Sequence, residues 1–448
     1  MFTIAALSFI GGAIAQQVGN NEPEVHPSMS WSRCSGQGSC QNVDGEVVID
    51  ANWRWIHRSG GYDNCYDGND WTDACSSNED CAENCEVEGA KYEETYGAST
   101  SGDALTLSFT KDNASGKNIG SRLYLMADES SYEMFDLIGN ELSFDVDLST
   151  VVCGINSALY FVAMPEDGGS GDYPTNAAGA QYGTGYCDAQ CARDLKFIAG
   201  QANYEGWEPS DSDANAGVGN LGSCCAEIDV WESNSHSFAL TPHACEAGYN
   251  DFHVCEGDEG CGGTYSPERF NGHCDANGCD FNPYRLGVTD FYGKGKTVDT
   301  SKPFTVVTQF ENNALNQFFV QDGQRIEMPN ANQDGLPETN EIKPELCDVL
   351  FDVFDDYDRY TEVGGWTAMQ EALSKPMVLV MSIWADHYAN MLWLDGLWPR
   401  DADPSTPGAL RGDCPVDSGD PDEVVASNPN AYVTWSNIRF GPIGSTTD

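Results

Sequence analysis

Three carboxylates, Glu227, Asp229 and Glu232, lie within six positions of an otherwise apolar stretch of the chain. Burying several carboxylates together is costly unless their charges are shared, paired or used in chemistry. A close pair of carboxyl groups is what retaining glycoside hydrolysis requires, because one attacks the sugar and the other protonates the leaving oxygen. An ordinary strand with charges on a solvated face explains the same spacing equally well.

The geometry of a strand makes the hydrolytic interpretation specific. β-branched Val230 and aromatic Trp231 favour a strand between the acids. On a regular strand Glu227 and Asp229 face one side and Glu232 faces the other, because side chains alternate. For all three to meet one substrate, an extra residue must be inserted, so the spacing predicts a β-bulge near Val230 or Trp231.

The bulk composition indicates one large all-β domain. The chain has 448 residues, of which 40% are hydrophobic and 47 are glycine, which favours short strands and turns around a sizeable core. Alternating or continuously apolar residues predict strands at 104–109, 142–147, 304–310 and 377–383. We predict a β-jelly-roll sandwich of two large antiparallel sheets with long disulfide-pinned loops and few short helices, among them 348–360 and 368–374.

The chain also carries signs of its cellular location. Residues 2–12 form an apolar run too short to span a bilayer, and the Ala-Ile-Ala at 13–15 matches a signal-peptidase site. We therefore predict a signal peptide over 1–15 and a single catalytic domain over 16–448, without linker or carbohydrate-binding module. The 18 cysteines fit the oxidising compartment of a secreted, extracellular protein, and we expect a monomer.

The charge excludes several classes of partner. With 71 acidic and 21 basic residues the formal net charge is −50, which argues against nucleic acid and anionic membrane as partners. The G-x-G-x-x-G at 217–222 follows a polar loop and leads into a strand, so it is not a dinucleotide site. No metal or organic cofactor is predicted.

The residues around the three acids resemble a known family. The segment GSCCAEIDVWESNS at 222–235, followed by ALTPHAC at 239–245, is similar to the active-site segment of the family 7 glycoside hydrolases, which are secreted cellobiohydrolases and endoglucanases. Similar stretches are NWRW at 52–55, GSRLYLM at 120–126, YGTGYCD at 182–188, QANYEGWEP at 201–209, CGGTY at 261–265, YANMLWLD at 388–395 and NIRFGPI at 437–443. Together they cover nearly all of residues 23–445.

This resemblance implies roles for the residues of the catalytic site. Glu227 is the expected nucleophile, Glu232 the expected general acid/base and Asp229 the acid that tunes the nucleophile, while His243 lies beside them. Because the acid must keep its proton, Glu232 is expected to have a raised pKa. Retention predicts that the two catalytic carboxyl groups lie roughly 5–5.5 Å apart.

The resemblance also implies contacts with a cellulose chain. Trp53 and Trp55, two positions apart and so predicted on one strand face, would serve the distant entrance of a tunnel. The other expected contacts are Arg122 in the tunnel; Asn156, Tyr160, Asp188 and Gln190 near the nucleophile; Trp384 and Trp393 flanking cleavage; Tyr265 and Tyr388 meeting across the roof; and Arg269, Asp280 and Arg411 on the product side. Asn277 replaces a usual acid there, and Trp398 a usual tyrosine.

The function that the resemblance implies is retaining, exo-acting hydrolysis of the β-1,4-glucosidic bonds of cellulose. Such an enzyme releases cellobiose processively from reducing ends. The alternatives are an open-cleft endo-β-1,4-glucanase and a non-catalytic carbohydrate-binding lectin. The resemblance further implies nine disulfides: Cys34–Cys40, Cys65–Cys85, Cys75–Cys81, Cys153–Cys414, Cys187–Cys225, Cys191–Cys224, Cys245–Cys274, Cys255–Cys261 and Cys279–Cys347.

Overall fold

Two large β-sheets dominate the computed structural model, which describes residues 16–447. The predicted signal peptide at 1–15 lies outside the described residues. The first sheet has eight antiparallel strands: Glu46–Ile49, Ser121–Asp128, Ser131–Tyr132, Met134–Phe135, Ile155–Val162, Glu227–Ser233, Phe238–His243 and Met377–Ala385. The second has ten strands, which pair antiparallel except where Trp31–Cys34 runs parallel to Tyr432–Pro442. They are Trp31–Cys34, Cys40–Val43, Ala98–Ser101, Ala104–Ser108, Asn140–Asp147, Phe304–Glu311, Ala314–Gln321, Gln324–Glu327, Glu341–Ile342 and Tyr432–Pro442.

The two sheets face each other across one hydrophobic core. In the Asn140–Asp147 strand, the alternate residues Leu142, Phe144 and Val146 all point into it. Rings from opposite sheets meet there, for example Phe161 and Phe310 with centroids 5.8 Å apart. This packing confirms the predicted β-jelly-roll sandwich, because period-two alternation supplies each sheet with one apolar face.

The Met377–Ala385 strand shows why a continuously apolar sequence was needed at the centre of the first sheet. Leu379 and Met381 belong to the core between the sheets. Val378 and Val380 point the opposite way, into a second apolar cluster beneath the loops. Both faces of this strand are therefore covered, as the unbroken apolar run predicts.

The helices are few and short, as predicted. The predicted helix at 348–360 is wrong in its extent, because the helix Pro344–Phe354 ends at Asp355, which has the left-handed φ of 55°. A separate short helix follows at Arg359–Glu362, and the second prediction corresponds to Gly365–Leu373. The other helices are Ala51–Trp53, Asn78–Asn84, Tyr92–Tyr96, Ala180–Tyr182, Gly257–Cys261, Leu392–Asp395 and Pro421–Ser427.

Short strand pairs and disulfides fix the long connections. All nine bridges implied by the resemblance are present, and they use every cysteine. The minor strands are Gln17–Val18, Ile56–Arg58, Tyr66–Asp67, Asp70–Trp71, Cys85–Val87, Thr110–Asn113, Gly116–Ile119, Phe197–Ile198, Gln201–Ala202, Glu208–Pro209, Gly217–Val218, Leu221–Cys224, His253–Glu256, Tyr292–Gly293 and Val298–Asp299. Within the described chain, no helix combines the length and apolar character needed to cross a membrane.

Candidate active site

The strand Glu227–Ser233 contains the predicted β-bulge. It pairs with Phe238–His243 so that Asp229 lies opposite Thr241 and Glu232 lies opposite Ala239. Two residues, Val230 and Trp231, therefore face a single residue of the partner strand. The inserted residue restores Glu232 to the face that carries Glu227 and Asp229, because it offsets the alternation by one position.

Burial on the opposite face stabilises this bulge. Val230 and Trp231 are fully buried in the core between the sheets. The Trp231 ring stacks on Phe238 with centroids 5.0 Å apart and packs against Phe304 and Phe319 of the second sheet. Because a buried tryptophan contributes a large apolar area, reversing the strand's faces would expose Trp231 and bury the acids in the core.

Each of the three carboxyl groups has a defined hydrogen-bond partner. The backbone N–H of Ala189 donates to Glu227 Oε2 at 3.1 Å, and Asn156 Nδ2 donates to Glu232 Oε1 at 2.9 Å. His243 Nε2 lies 3.1 Å from Asp229 Oδ2. These contacts hold the carboxyl groups in fixed places while each acid keeps some exposure, at 7%, 5% and 8% in chain order.

The histidine is oriented by a backbone carbonyl. His243 Nδ1 lies 2.9 Å from the carbonyl oxygen of Asp275. A carbonyl only accepts, so Nδ1 carries the hydrogen, and Nε2 is free to share a proton with Asp229. The predicted position of His243 beside the acids is thus what the strand register produces, since His243 pairs directly with Glu227.

Burial raises the pKa of all three acids well above their ordinary values. The charges of Asp229 and Asp188 raise the pKa of Glu227 further, and the charge of Asp229 does so for Glu232. A hydrogen bond with Glu227 acts in the opposite direction on the pKa of Asp229. The cluster therefore keeps its protons to a higher pH than isolated carboxyl groups would, and its members titrate together.

A polar network extends from Glu227 along the same sheet face. Tyr160 Oη lies 3.0 Å from Tyr186 Oη, and the guanidinium of Arg122 lies 3.3 Å from the Tyr186 ring centre. Arg122 also donates to Asp50 Oδ2 from Nε and Nη2, at 2.9 and 2.8 Å. The structure thus brings Arg122 and Tyr160 together through Tyr186, which the sequence did not single out although it lies in the YGTGYCD stretch.

Asp188 lies between this network and the acids. Its carboxylate accepts the backbone N–H of Ala192 at 3.2 Å. Burial raises the pKa of Asp188 to about 6. Its charge also contributes to the raised pKa of both Glu227 and Asp229. The predicted position of Asp188 near the nucleophile agrees with this electrostatic coupling.

The predicted product-side residues form two groups. Arg269 donates from Nε to Asn277 Oδ1 at 2.8 Å and from Nη2 to the Ala276 carbonyl at 3.0 Å. Gln190 Nε2 donates to the same carbonyl at 2.6 Å, so Gln190 links the nucleophile region to Arg269. The Arg269 guanidinium is thus held by the carboxamide oxygen of Asn277 and the backbone carbonyl of Ala276.

The second product-side group contains an arginine, Arg411, that forms no ion pair with the residues that the structure describes. Asp280 forms its ion pair with Arg285 rather than with Arg411. Arg411 Nε is buried without a hydrogen-bond partner among the described residues, and burial lowers the pKa of Arg411 to about 10. An unpartnered buried donor of this kind fits a place where a ligand hydroxyl completes the hydrogen bonding.

Two aromatic pairs lie around the cleavage region. The Trp384 and Trp393 rings have centroids 6.4 Å apart and planes inclined by 30°, and Trp393 Nε1 donates to Asp386 Oδ2 at 2.9 Å. Tyr265 and Tyr388, from loops far apart in sequence, meet edge to face with centroids 5.6 Å apart. The approach of Tyr265 to Tyr388 was predicted, whereas the proximity of the Trp384 and Trp393 rings to each other was not.

The predicted strand geometry of Trp53 and Trp55 is wrong. Trp53 ends a 3-10 turn over Ala51–Trp53, which begins where Asp50 Oδ1 accepts the N–H of Asn52 at 2.6 Å. The turn rather than a pleat sets the two ring directions. Trp53 packs against the core, whereas the Trp55 ring lies on His57 with centroids 4.2 Å apart.

Comparison with known proteins gives consistent similarities over almost the whole chain. A family model described as glycosyl hydrolase family 7 matches residues 18–447. A cellobiohydrolase from Melanocarpus albomyces, solved with cellotetraose, is 64% identical, with a TM-score of 0.94 over 97% of this chain and 100% of that one. A family 7 cellobiohydrolase from Daphnia pulex is 45% identical, with a TM-score of 0.94 over 96% and 100%. The endocellulase EGI of Humicola insolens is 38% identical, with a TM-score of 0.80 over 96% and 100%.

Proposed function

Because the chain belongs to glycosyl hydrolase family 7, we propose that it is a retaining, exo-acting cellobiohydrolase. It hydrolyses β-1,4-glucosidic bonds of cellulose and releases cellobiose processively from reducing ends. The observation that carries this proposal is the bulge at Val230 and Trp231, which gathers Glu227, Asp229 and Glu232 on one face. A lectin has no need to place three acids together, because their mutual repulsion and burial are costly.

In the first chemical step, Glu227 attacks the anomeric carbon as its carboxylate. The glycosidic C–O bond breaks, and the proton of Glu232 passes to the leaving oxygen, so that a glycosyl ester on Glu227 and a Glu232 carboxylate result. The Ala189 N–H, 3.1 Å from Glu227 Oε2, supports the ionised nucleophile. Burial raises the pKa of Glu232, so that its carboxyl group favours the protonated form that donates to the leaving oxygen.

In the second step, Glu232 acts as a base. Its carboxylate accepts a proton from water, the water oxygen attacks the anomeric carbon, and the ester bond to Glu227 breaks. When the ester breaks, Glu227 is released as a carboxylate. Asp229 and His243 help to keep Glu227 ionised, because a proton held between His243 Nε2 and Asp229 Oδ2 is not available to neutralise Glu227. Two inversions at one carbon give retention, for which a separation of roughly 5–5.5 Å between the catalytic carboxyl groups stays a prediction.

Substrate binding uses the groups around this centre. Trp384 and Trp393 offer flat faces to the apolar sides of glucosyl rings, and Arg269 and Arg411 donate to hydroxyl groups of the product. The sugars next to Glu227 contact Asn156, Tyr160, Asp188 and Gln190. More distant sugar units contact Trp53, Trp55 and Arg122, and the released cellobiose contacts Asp280. The contact of Tyr265 with Tyr388 favours exo action over the open-cleft alternative, because it closes the space above the chain.

One product analysis tests the proposal. The protein is incubated with crystalline cellulose, and soluble sugars and insoluble reducing ends are measured separately. We expect cellobiose to dominate, with few new insoluble ends. A mixture of longer sugars with many insoluble ends would indicate an endoglucanase, and binding without any product would indicate a lectin.

The amide at position 277 predicts weakened product inhibition. We expect Asn277→Asp to lower the inhibition constant for cellobiose about fivefold, because charge-assisted hydrogen bonds are roughly twice as strong as neutral ones. The new carboxylate would also keep the contact with Arg269 Nε. Inhibition is measured with a soluble aryl cellobioside, and Asn271→Asp, an exposed change in the same loop, is the control. Equal inhibition of the wild type and Asn277→Asp would contradict this role.

The proposal includes where the enzyme acts. Nine disulfides in one chain are typical of proteins that fold in an oxidising compartment. We therefore propose a secreted, extracellular monomer with one catalytic domain that meets cellulose outside the cell.

A further inference from the structure

A long loop over residues 201–223, here called the roof loop, is tied at its tip to the segment around Tyr66–Trp71. Asn69 Nδ2 donates to the carbonyl oxygens of Ser210 and Asp213, at 2.9 and 3.2 Å. Trp207 Nε1 donates to the Asn69 carbonyl at 3.0 Å. On this side the tip is therefore anchored mainly by Asn69, which takes part in three hydrogen bonds, and also by Tyr66 Oη, which donates to the Asn215 carbonyl at 3.4 Å.

The same tip is held on its other side by one histidine. His387 Nδ1 lies 2.8 Å from the carbonyl oxygen of Ser212, and His387 Nε2 lies 3.6 Å from Asp213 Oδ2. Because the carbonyl only accepts, Nδ1 carries the hydrogen, and Nε2 faces the carboxylate. We call this contact of His387 with Ser212 and Asp213 the clasp. It joins segments 175 positions apart in the chain.

The loop that carries His387 is itself rigidly supported. The Asp386 carboxylate accepts the backbone N–H groups of Tyr388 and Ala389, at 2.8 and 3.0 Å. It also accepts Trp393 Nε1 at 2.9 Å. His387 therefore projects from a short loop fixed between two proposed sugar-stacking residues, Trp384 and Trp393, rather than from a free surface segment.

The clasp lies beside the aromatic contact above the acids. Tyr388 follows His387 directly and meets Tyr265 at 5.6 Å. Thr264, next to Tyr265, donates from Oγ1 to Gln190 Oε1 at 2.8 Å, and Ala189, next to Gln190, donates its backbone N–H to Glu227 Oε2. The roof loop, the Tyr265 loop and the His387 loop thus converge over one part of the sheet face.

We propose that His387 is a specificity-determining residue that holds the roof loop closed over the bound glucan chain. The inference rests on the proposed function and deepens it, because closure separates an enzyme that threads chain ends from one that accepts internal segments. A closed roof admits a chain only from its end, and it keeps the chain in place between successive cleavages. An opened roof lets the middle of a chain enter and leave.

The size of the effect follows from the two contacts. The hydrogen bond to Ser212 is short, whereas the pair with Asp213 is long and both side chains are 22–23% exposed, so solvent screens it. Losing a hydrogen bond of ordinary strength changes an equilibrium about fivefold. We therefore expect His387→Ala to raise the open fraction of the roof about fivefold, with most of the change due to the Ser212 contact.

The experiment compares three assays on one set of variants. The variants are His387→Ala, Asp213→Asn, which removes only the charge of the partner, and His273→Ala, another half-exposed histidine paired with an acid, Glu246. The assays are turnover of a soluble aryl cellobioside, viscosity loss of carboxymethyl cellulose, and the ratio of cellobiose to insoluble reducing ends from crystalline cellulose. Melting temperatures confirm that each variant is folded.

We expect His387→Ala to turn over the aryl cellobioside within twofold of the wild type, because that short substrate is cleaved once without being threaded and so does not need a closed roof. Viscosity loss should rise about fivefold and the product ratio should fall about as much. Asp213→Asn should show a smaller shift in the same direction, and His273→Ala none. Wild-type viscosity loss and product ratio in both His387→Ala and Asp213→Asn would overturn the clasp. A wild-type protein that releases no cellobiose would instead overturn the proposed function.

Discussion

Replacing Glu227 by glutamine is expected to reduce hydrolysis of cellulose about 10⁴-fold or more, as losses of catalytic nucleophiles do in other enzymes. The amide keeps the shape and the acceptor for the Ala189 N–H, but it cannot attack the anomeric carbon as an anion. Because the fold is unchanged, binding to cellulose should remain within a fewfold of the wild type. Turnover and pull-down on the same cellulose preparation measure the two quantities.

The roles of Glu232 and Glu227 can be distinguished by changing the leaving group of the substrate. With cellulose, Glu232→Gln should lose about 10²–10⁴-fold in turnover, because the leaving alkoxide needs a proton. With an aryl cellobioside whose phenol is strongly acidic, the first step no longer needs that proton. The glycosyl ester should then form rapidly, which gives a burst of phenol followed by slow hydrolysis. Glu227→Gln should show no burst; a burst in that variant would exchange the two assignments.

The acid cluster is also expected to cost stability at neutral pH. An unfolded glutamate has a pKa of about 4.3, whereas burial raises the folded-state pKa of Glu232 well above that value. The folded protein then binds more protons, so stability is fully present below the unfolded pKa and falls as the pH rises to the folded pKa. The slope is up to about 1.4 kcal/mol per pH unit for each such group.

Glu232→Gln should therefore be more stable than the wild type at pH 7 and equal to it near pH 4. Glutamine keeps an oxygen for the hydrogen bond from Asn156 and cannot ionise. Melting temperatures across this pH range measure the difference, with Glu83→Gln, an exposed acid, as the matched control. A wild type at least as stable as Glu232→Gln at pH 7 would show that the site is not strained by charge, whatever its catalytic role.

The alternation of side chains along a strand was sufficient to predict the geometry of the catalytic strand. Glu227, Asp229 and Glu232 serve one substrate only if the alternation is interrupted, and an apolar pair lies at the required place. The same rules failed for Trp53 and Trp55, because Asp50 begins a turn where an unbroken pleat was expected. They also joined two helices into one, since Asp355 ends the first in a conformation that sequence spacing does not reveal.

The sequence by itself determined the acids, the need for a bulge and the strands that carry them, because side-chain alternation depends only on neighbouring residues. The tertiary structure alone decided several contacts between side chains and distant segments. Asp280 pairs with Arg285, Arg122 lies on Tyr186, and His387 reaches Ser212. The clasp joins residues 175 positions apart, and a contact over that separation depends on the packing of the whole chain.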